Sequence, residues 1–350
     1  MRPLSDYTVE ELEREIAGWG FKPSHAAPVL RALYAQERER PLDDLVLPRP
    51  LAERLAGIAA GPGQVPAVRQ QAADGTSKLL IRLEDGRTVE TVLMPDFRAD
   101  RAAGCVSSQV GCAMGCDFCA TTKTGFERNL TSGEIVDQFL ALRREARSTG
   151  RRLQTLVFMG MGEPMLNLDA VIAAIRRIAA NELGALGWRQ VTVSTVGIVP
   201  GIEKLAESGL NVHLAVSLHS PDDETRARLI PAGKRFGVDE VLAAADRYQE
   251  RTGRPVTIQY CLLSGVNDSA AQAARLAALV GRRRMHVNLL HYNPTGLSLR
   301  GLSYASSSDE ASLAFLGVLR DAGVVAHFRR SRGDDIDAAC GQLRRRAAGG

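Results

Sequence analysis

From about residue 104 to residue 329 the chain alternates short apolar runs with helical stretches, and this restricts the fold more than any other feature of the sequence. The apolar runs fall at 104–110, 153–159, 190–195, 211–217, 255–262, 286–291 and 323–329, with helical patterns such as 132–147 and 170–180 between them. Strands that alternate with helices pair in parallel, because a crossover helix returns the chain to the same end of the sheet. The expected fold is therefore α/β, with a parallel sheet rolled into a barrel or part-barrel. Glycine and polar motifs follow several runs directly: residues 160–164 after VFM, 194–197 after VTV, 217–221 after HLAV and 292–294 after VNLLH. Folds of this kind place their sites at the carboxyl ends of the strands. Motifs far apart in sequence should thus converge on one mouth.

Two smaller units precede this core, which is expected to span 98–350. Residues 1–77 read as a small helical domain. Thr8 and Glu11 form a capping box ahead of Leu12, Ile16 and Trp19 on one face. A second helix carries Val29, Leu30, Leu33 and Tyr34; a third follows Pro48-Arg49-Pro50, carries Leu51, Leu55 and Ile58, and should end at Gly61-Pro62-Gly63. Residues 78–97 read as a hairpin turning at Asp85-Gly86. Its second strand carries Glu90 on one face with Thr88, Val92 and Met94. A lone glutamate on a strand is ordinarily solvated.

Four of the six cysteines crowd into one loop. Cys112, Cys116 and Cys119 form Cys-x3-Cys-x2-Cys, and Cys105 stands seven residues earlier. Thiolates select zinc or iron–sulfur clusters. Four protein ligands would close a structural zinc site, whereas a [4Fe–4S] cube on three cysteines leaves one iron open. This crowding suits a reducing cytoplasm better than a disulfide scaffold. The polar, acidic start has no apolar stretch of the signal-peptide kind, and no apolar run approaches the length of a bilayer span. The net charge of +4 is compatible with RNA but does not by itself point to it.

The cysteine spacing resembles the radical S-adenosylmethionine (SAM) superfamily. CVSSQVGC, GFERNLT, FMGMGEPMLN, STVGIVPGI, SLHSPDDETR, GVND, HVNL, YNP and GDDIDAACGQL together resemble the RlmN/Cfr family of RNA adenine methyltransferases, over residues 12–343. The resemblance implies a partial (β/α)6-type barrel with the helical unit as an RNA-engaging accessory domain. It implies a [4Fe–4S] cluster on Cys112, Cys116 and Cys119, and two SAM molecules per turnover. Gly162 and Glu163 correspond to contacts with the SAM amino group. Ser194, Ser217, Leu218, His219 and Asn293 correspond to contacts with its ribose, carboxylate or adenine. The implied substrate is 23S rRNA, with tRNA as a further one, and the implied electron donor is a flavodoxin or ferredoxin.

The C2–H of adenine is neither acidic nor nucleophilic, so polar methyl transfer fails and radical chemistry must come from a cofactor. As the resemblance implies, Cys340 is methylated by a first SAM. The 5′-deoxyadenosyl radical from a second SAM then abstracts hydrogen from that S-methyl group. The methylene radical adds to the adenine, Glu90 or a water it activates takes the ring proton, and Cys105 resolves the adduct with a transient Cys105–Cys340 disulfide. Asp334, Asp335 and Asp337 are expected to fix the Cys340 loop. Cys261 reads as core, and His213, His286 and His291 read as structural. Three alternatives stay open: a C8-directed relative, pointed to by NPTGLSLRGLSY after Tyr292; a radical SAM enzyme acting on a small molecule; and a non-catalytic RNA-binding module with structural zinc.

Overall fold

A computed structural model describes residues 2–35, 42–59 and 66–343. Three helices lead: α1 (Val9–Gly18), α2 (Ala26–Ala35) and α3 (Arg49–Ala59). The capping box forms as expected, with the Glu11 amide donating to Thr8 Oγ1 at 3.2 Å and the Thr8 amide donating to Glu11 Oε2 at 2.9 Å. Leu12, Ile16, Val29, Leu30, Leu33, Tyr34, Leu51, Leu55 and Ile58 are buried, while Trp19 is half-buried. Gly61-Pro62-Gly63 lies outside the described residues. Burial of each large aliphatic side chain contributes about 1.5–3 kcal/mol. These side chains merge with the core of the following sheet. A polar pin supplements that packing. Asp6 Oδ1 accepts from Ser132 Oγ at 2.6 Å and from the Gly133 amide at 2.8 Å, at the exposed amides of a helix start.

The sheet has ten strands in the order β1-β2-β3-β4-β7-β8-β9-β10-β11-β12. β1 (Pro66–Gln71), β2 (Ser77–Arg82), β3 (Thr88–Pro95) and β4 (Arg101–Cys105) are antiparallel neighbours. From β4 onward every pair is parallel: β7 (Arg152–Phe158), β8 (Val191–Thr195), β9 (His213–Ser217), β10 (Val256–Leu262), β11 (Met285–His291) and β12 (Ala326–Arg329). The expected run at 104–110 divides. β4 ends at Cys105, and β5 (Gln109–Gly111) pairs with β6 (Phe126–Asn129) in a separate ribbon. The break falls where the Ser107 amide leaves the ladder for Gln138 Oε1, at 2.8 Å.

Seven helices complete the core: α4 (Ser132–Ser148), α5 (Leu168–Ala179), α6 (Val199–Glu207), α7 (Asp223–Leu229), α8 (Val238–Thr252), α9 (Ala270–Val280) and α10 (Asp309–Asp321). One cavity of about 230 Å³ is lined by Cys105, Phe158, Ser194, Ser217, Cys261, His291 and Arg329. These residues sit at or near the carboxyl ends of seven successive parallel strands, so the sheet must curl around the cavity. This is the α/β part-barrel expected from the alternation, extended at one edge by the hairpin and by β1, a strand within the stretch 1–77 expected to be helical. Among the described residues no helix is long and apolar enough to cross a membrane.

Candidate active site

The loop between β5 and β6 carries Cys112, Cys116 and Cys119 into the cavity wall. Hydrogen bonds shape this loop from within. Thr122 Oγ1 donates to the carbonyls of Cys116 and Cys119, at 3.0 and 2.9 Å, and the Asp117 amide donates to the Leu229 carbonyl at 2.9 Å. The Asp117 side chain faces away from the cavity, accepting from Tyr304 Oη at 2.7 Å and from the Arg300 amide at 3.2 Å. The segment 293–304 is thereby tied to the cysteine loop.

Burial pushes the Cys112 thiol up to about 12 and Cys116 well above its ordinary value, with the neighbouring cysteines and Glu163 adding to the effect. Three thiols lining one cavity fit an iron–sulfur cluster as a donor set. Binding it would displace their protons. Among the described residues no three histidine, cysteine or acidic side chains form a group that could hold a single metal ion.

Gly162 adopts φ +98°, and a Cβ there would lie 2.5 Å from Gln109. A Cβ on Gly160 would meet Val106 and Ser107 at 2.7–2.8 Å. These glycines let the loop after β7 press against residues 106–109. Glu163 is 2 % exposed. Its Oε1 accepts from the Met165 amide at 3.0 Å and its Oε2 from the Val196 amide at 2.9 Å. Burial nevertheless pushes its pKa up to about 7, against those bonds. The Thr195 side chain is a third hydrogen-bond partner of this carboxylate, which lines the cavity.

Ser194 and Ser217 face each other across β8 and β9, with their hydroxyl oxygens 3.5 Å apart. His219 has a left-handed φ of 56°, and its Nδ1 accepts from the Cys261 amide at 2.8 Å. Burial, helped by Arg226, pushes its pKa down to about 3, so the ring is neutral. Phe118 packs edge-on against it, with centroids 5.0 Å apart. Asn293 also lines the cavity, with its Oδ1 accepting from Ser331 Oγ at 3.3 Å. Leu218 does not reach the cavity. It is fully buried in the core, and its amide donates to the Gln259 carbonyl at 3.1 Å.

Cys340 arrives on the last described segment, which is strapped across the mouth. The Gly341 carbonyl accepts from the Ala120 amide at 2.7 Å, and the Leu343 carbonyl accepts from Thr121 Oγ1 at 2.8 Å. Gln342 Nε2 donates to the Pro294 carbonyl at 3.4 Å. On the other side, Asp335 Oδ2 accepts from the Ala73 amide at 3.0 Å, as expected for a residue that fixes the loop. Cys340 is exposed and lines the cavity, and desolvation there raises its thiol above the ordinary value, against the pull of Arg329. Cys105 is pushed up to about 12, first by burial and then by Cys340. Both thiols are free and rest protonated.

Glu90 stands apart from the lining, on the same face of β3 as Val92 and Met94, which do line it. It is not solvated: it is 1 % exposed, and Lys78 Nζ lies 3.4 Å from its Oε1. Several lining residues escaped sequence reasoning, among them Gln259, Arg329 and Met159. Arg329 and Cys261 occupy the carboxyl ends of their strands, so the rule that located the motifs could also have located them. Cys261, expected in the core, is buried but lines the cavity, and so does His291, which stacks on Phe328 at 4.7 Å.

Comparison with known proteins follows the same outline. The Radical SAM superfamily model matches residues 106–277. A probable dual-specificity RNA methyltransferase RlmN 1 of Opitutus terrae is 67 % identical over 345 residues, covering 98 % of this chain and 97 % of that protein. A probable dual-specificity RNA methyltransferase RlmN of Rhodopirellula baltica is 42 % identical, covering 98 % and 90 %. The crystal structure of a radical SAM methyltransferase from Sphaerobacter thermophilus superposes with a TM-score of 0.93 at 44 % identity, covering 98 % of this chain and 99 % of the other.

Proposed function

The chain belongs to the RlmN family of radical SAM RNA methyltransferases, and from that membership we propose that it methylates C2 of an adenine in 23S rRNA and in tRNA. The observation that carries the reading is the meeting of Cys340 and Cys105, far apart in sequence, in the same cavity as the Cys112–Cys116–Cys119 loop.

Cys112, Cys116 and Cys119 would hold the cluster, with SAM placed between Glu163, Ser194, Ser217, His219 and Asn293. When bound, these groups supply the methyl carbon and the 5′-deoxyadenosyl radical chemistry that an inert C2–H requires. The protein's own residues direct that chemistry. Cys340 carries the methyl group and presents it to the base, which must leave its stack to reach a thiol on the cavity wall. Glu90 accepts the C2 proton, directly or through a water, from the base–Cys340 adduct, which must also give one electron back to the iron–sulfur centre to become a closed-shell thioether. Cys105, once deprotonated, attacks the Cys340 sulfur. The C–S bond breaks with its electron pair on the carbon side, that carbon takes up a proton to become the methyl group, and the two cysteines finish as a disulfide. Turnover then needs an external reductant for the disulfide and an electron donor of the flavodoxin or ferredoxin kind for SAM cleavage. The unit at 1–77 serves as the RNA-engaging accessory domain, the hairpin at 78–97 carries the base, and 98–350 forms the catalytic core.

Nucleoside mass spectrometry of 23S rRNA and tRNA tests this, in a host lacking its own such enzyme and expressing the chain or its Cys340→Ala variant. The expected product is 2-methyladenosine, absent with the variant. Formation of 8-methyladenosine would overturn the C2 assignment and give the 293–304 segment, anchored to Asp117, a part in choosing the carbon. Cys105→Ala is expected to leave the protein covalently attached to RNA; free turnover by it would remove Cys105 from the resolving role.

A further inference from the structure

Lys78 is 5 % exposed. Burying an ammonium group costs several kcal/mol unless it is paired and hydrogen-bonded. Here its Nζ has two oxygen neighbours from distant parts of the chain, the first an ion-pair contact and the second a hydrogen bond. One is Glu90 Oε1 at 3.4 Å, reached diagonally across the β2–β3 ladder, in which Lys78 pairs with Val92 and Leu80 with Glu90. The other is the main-chain carbonyl of Asp337, also at 3.4 Å. Asp337 lies three residues before Cys340 and has a left-handed φ of 53°, which a non-glycine residue adopts only when its surroundings hold it there.

The turn leading into β2 grips the same loop. Asp74 Oδ2 accepts from the Gly333 amide at 3.4 Å and lies 3.8 Å from Arg332 Nη1. A Cβ on Gly333 would lie 2.8 Å from Thr76. The hairpin with the base and the loop with the methyl carrier are therefore fastened together, and the Lys78 ammonium group bridges Glu90 to that loop. A surface ion pair would add little to stability, and a buried one is weak evidence of stabilisation. Its placement between two reacting groups is a reason of another kind.

We propose that Lys78 is a positioning residue for methyl transfer. Its ammonium group ties the Glu90 carboxylate to the main chain that presents Cys340, so that base and carrier hold a fixed relation. Once Glu90 takes the C2 proton the pair is a neutral acid beside an ammonium group, and release of that proton to solvent restores it. The inference rests on Glu90 acting as the base in the proposed function.

The test uses reconstituted holoenzyme with Lys78→Met, Lys78→Arg and Glu90→Gln. S-methylation of Cys340, 5′-deoxyadenosine release and methyladenosine are read in single turnovers, with iron content and circular dichroism as checks on folding. Methyl loading and radical formation precede the proton step, so Lys78→Met is expected to keep both within about threefold of wild type. Methyladenosine should fall about a hundredfold, toward the lower end of what a positioned base contributes. Lys78→Arg keeps the cation and is expected to recover most of that loss. Wild-type methylation by Lys78→Met beside an inactive Glu90→Gln would overturn this inference alone. Loss of methyl loading and radical formation in both lysine variants would also overturn it, because the residue would then be structural. Full methylation by Glu90→Gln would instead overturn the assignment of the base in the proposed function.

Discussion

At the scale of single residues, the site depends on close approaches that tolerate no added atom. Gly162 combines a positive φ with a Cβ position 2.5 Å from Gln109, whose Oε1 accepts from the Glu163 amide at 2.9 Å. Gly162→Ala must therefore displace Gln109, and with it the Glu163 carboxylate. The expected loss is about 2–4 kcal/mol, the range of combined backbone strain and overpacking. It is measured by urea unfolding of the cluster-free protein, and unchanged stability would show that the loop relaxes freely. Little of this was legible in the sequence. GMGEP identified the position, but the usual reason for glycine there, room for a ligand, differs from the one observed, which is room for residues 106–109. Glu90 illustrates the same limit: its strand and face were readable, but its burial depends on Lys78 and on a loop at the other end of the chain, contacts that no local pattern encodes.

At the scale of elements, the hairpin that holds Glu90 is fastened at its turn as well as along its strands. Arg128 on β6 donates to Asp85 Oδ2 at 2.7 Å and forms two bonds to Glu134, at 2.8 and 2.7 Å, in the capping box of α4. One arginine thus ties the turn between β2 and β3 to the start of a helix. Arg128→Ala should cost about 1 kcal/mol, as befits a partly exposed network with one bidentate pair. Its hydrogen bond is the largest cause holding the Asp85 carboxyl well below its ordinary value of 3.8. A depressed carboxyl stabilises fully above its unfolded pKa and loses that contribution as the pH falls below it. The difference between wild type and Arg128→Ala should therefore shrink below about pH 4 in denaturant titrations; a constant difference would mean that Asp85 takes no part. The strands were readable because period and run length are local. β1 was not, because PAVRQQ is an edge strand with every second residue exposed and a proline at its start, which weakens the apolar signal.

At the scale of the whole molecule, charge and topology concern how RNA meets the site. A groove between α2, α4 and the turn after α5 is lined by three arginines, Arg31, Arg143 and Arg147, and by Glu182. The chain's overall charge of +4 is too mild to single out a face, so only the folded arrangement displays this one. If the accessory domain engages RNA there, Arg31→Glu combined with Arg147→Glu should weaken RNA binding. It should also flatten the dependence of log affinity on log salt by about one unit for each phosphate no longer neutralised, while SAM cleavage without RNA stays unchanged. An unaltered salt slope in filter binding would move the RNA path elsewhere.

The strap that bears Cys340 has a temporal consequence. Asp335 and Ala73, hydrogen-bonded to each other, are 262 residues apart, and Lys78 and Asp337 are 259 apart. A ribosome makes the hairpin well before the strap, and closure over so long a span waits on everything between. The cysteine loop, the sheet through β11 and the strand with Glu90 can all be in place while Cys340 is still within the ribosome. Synthesis itself therefore closes the cavity over Cys340 only after most of the barrel beneath it has formed.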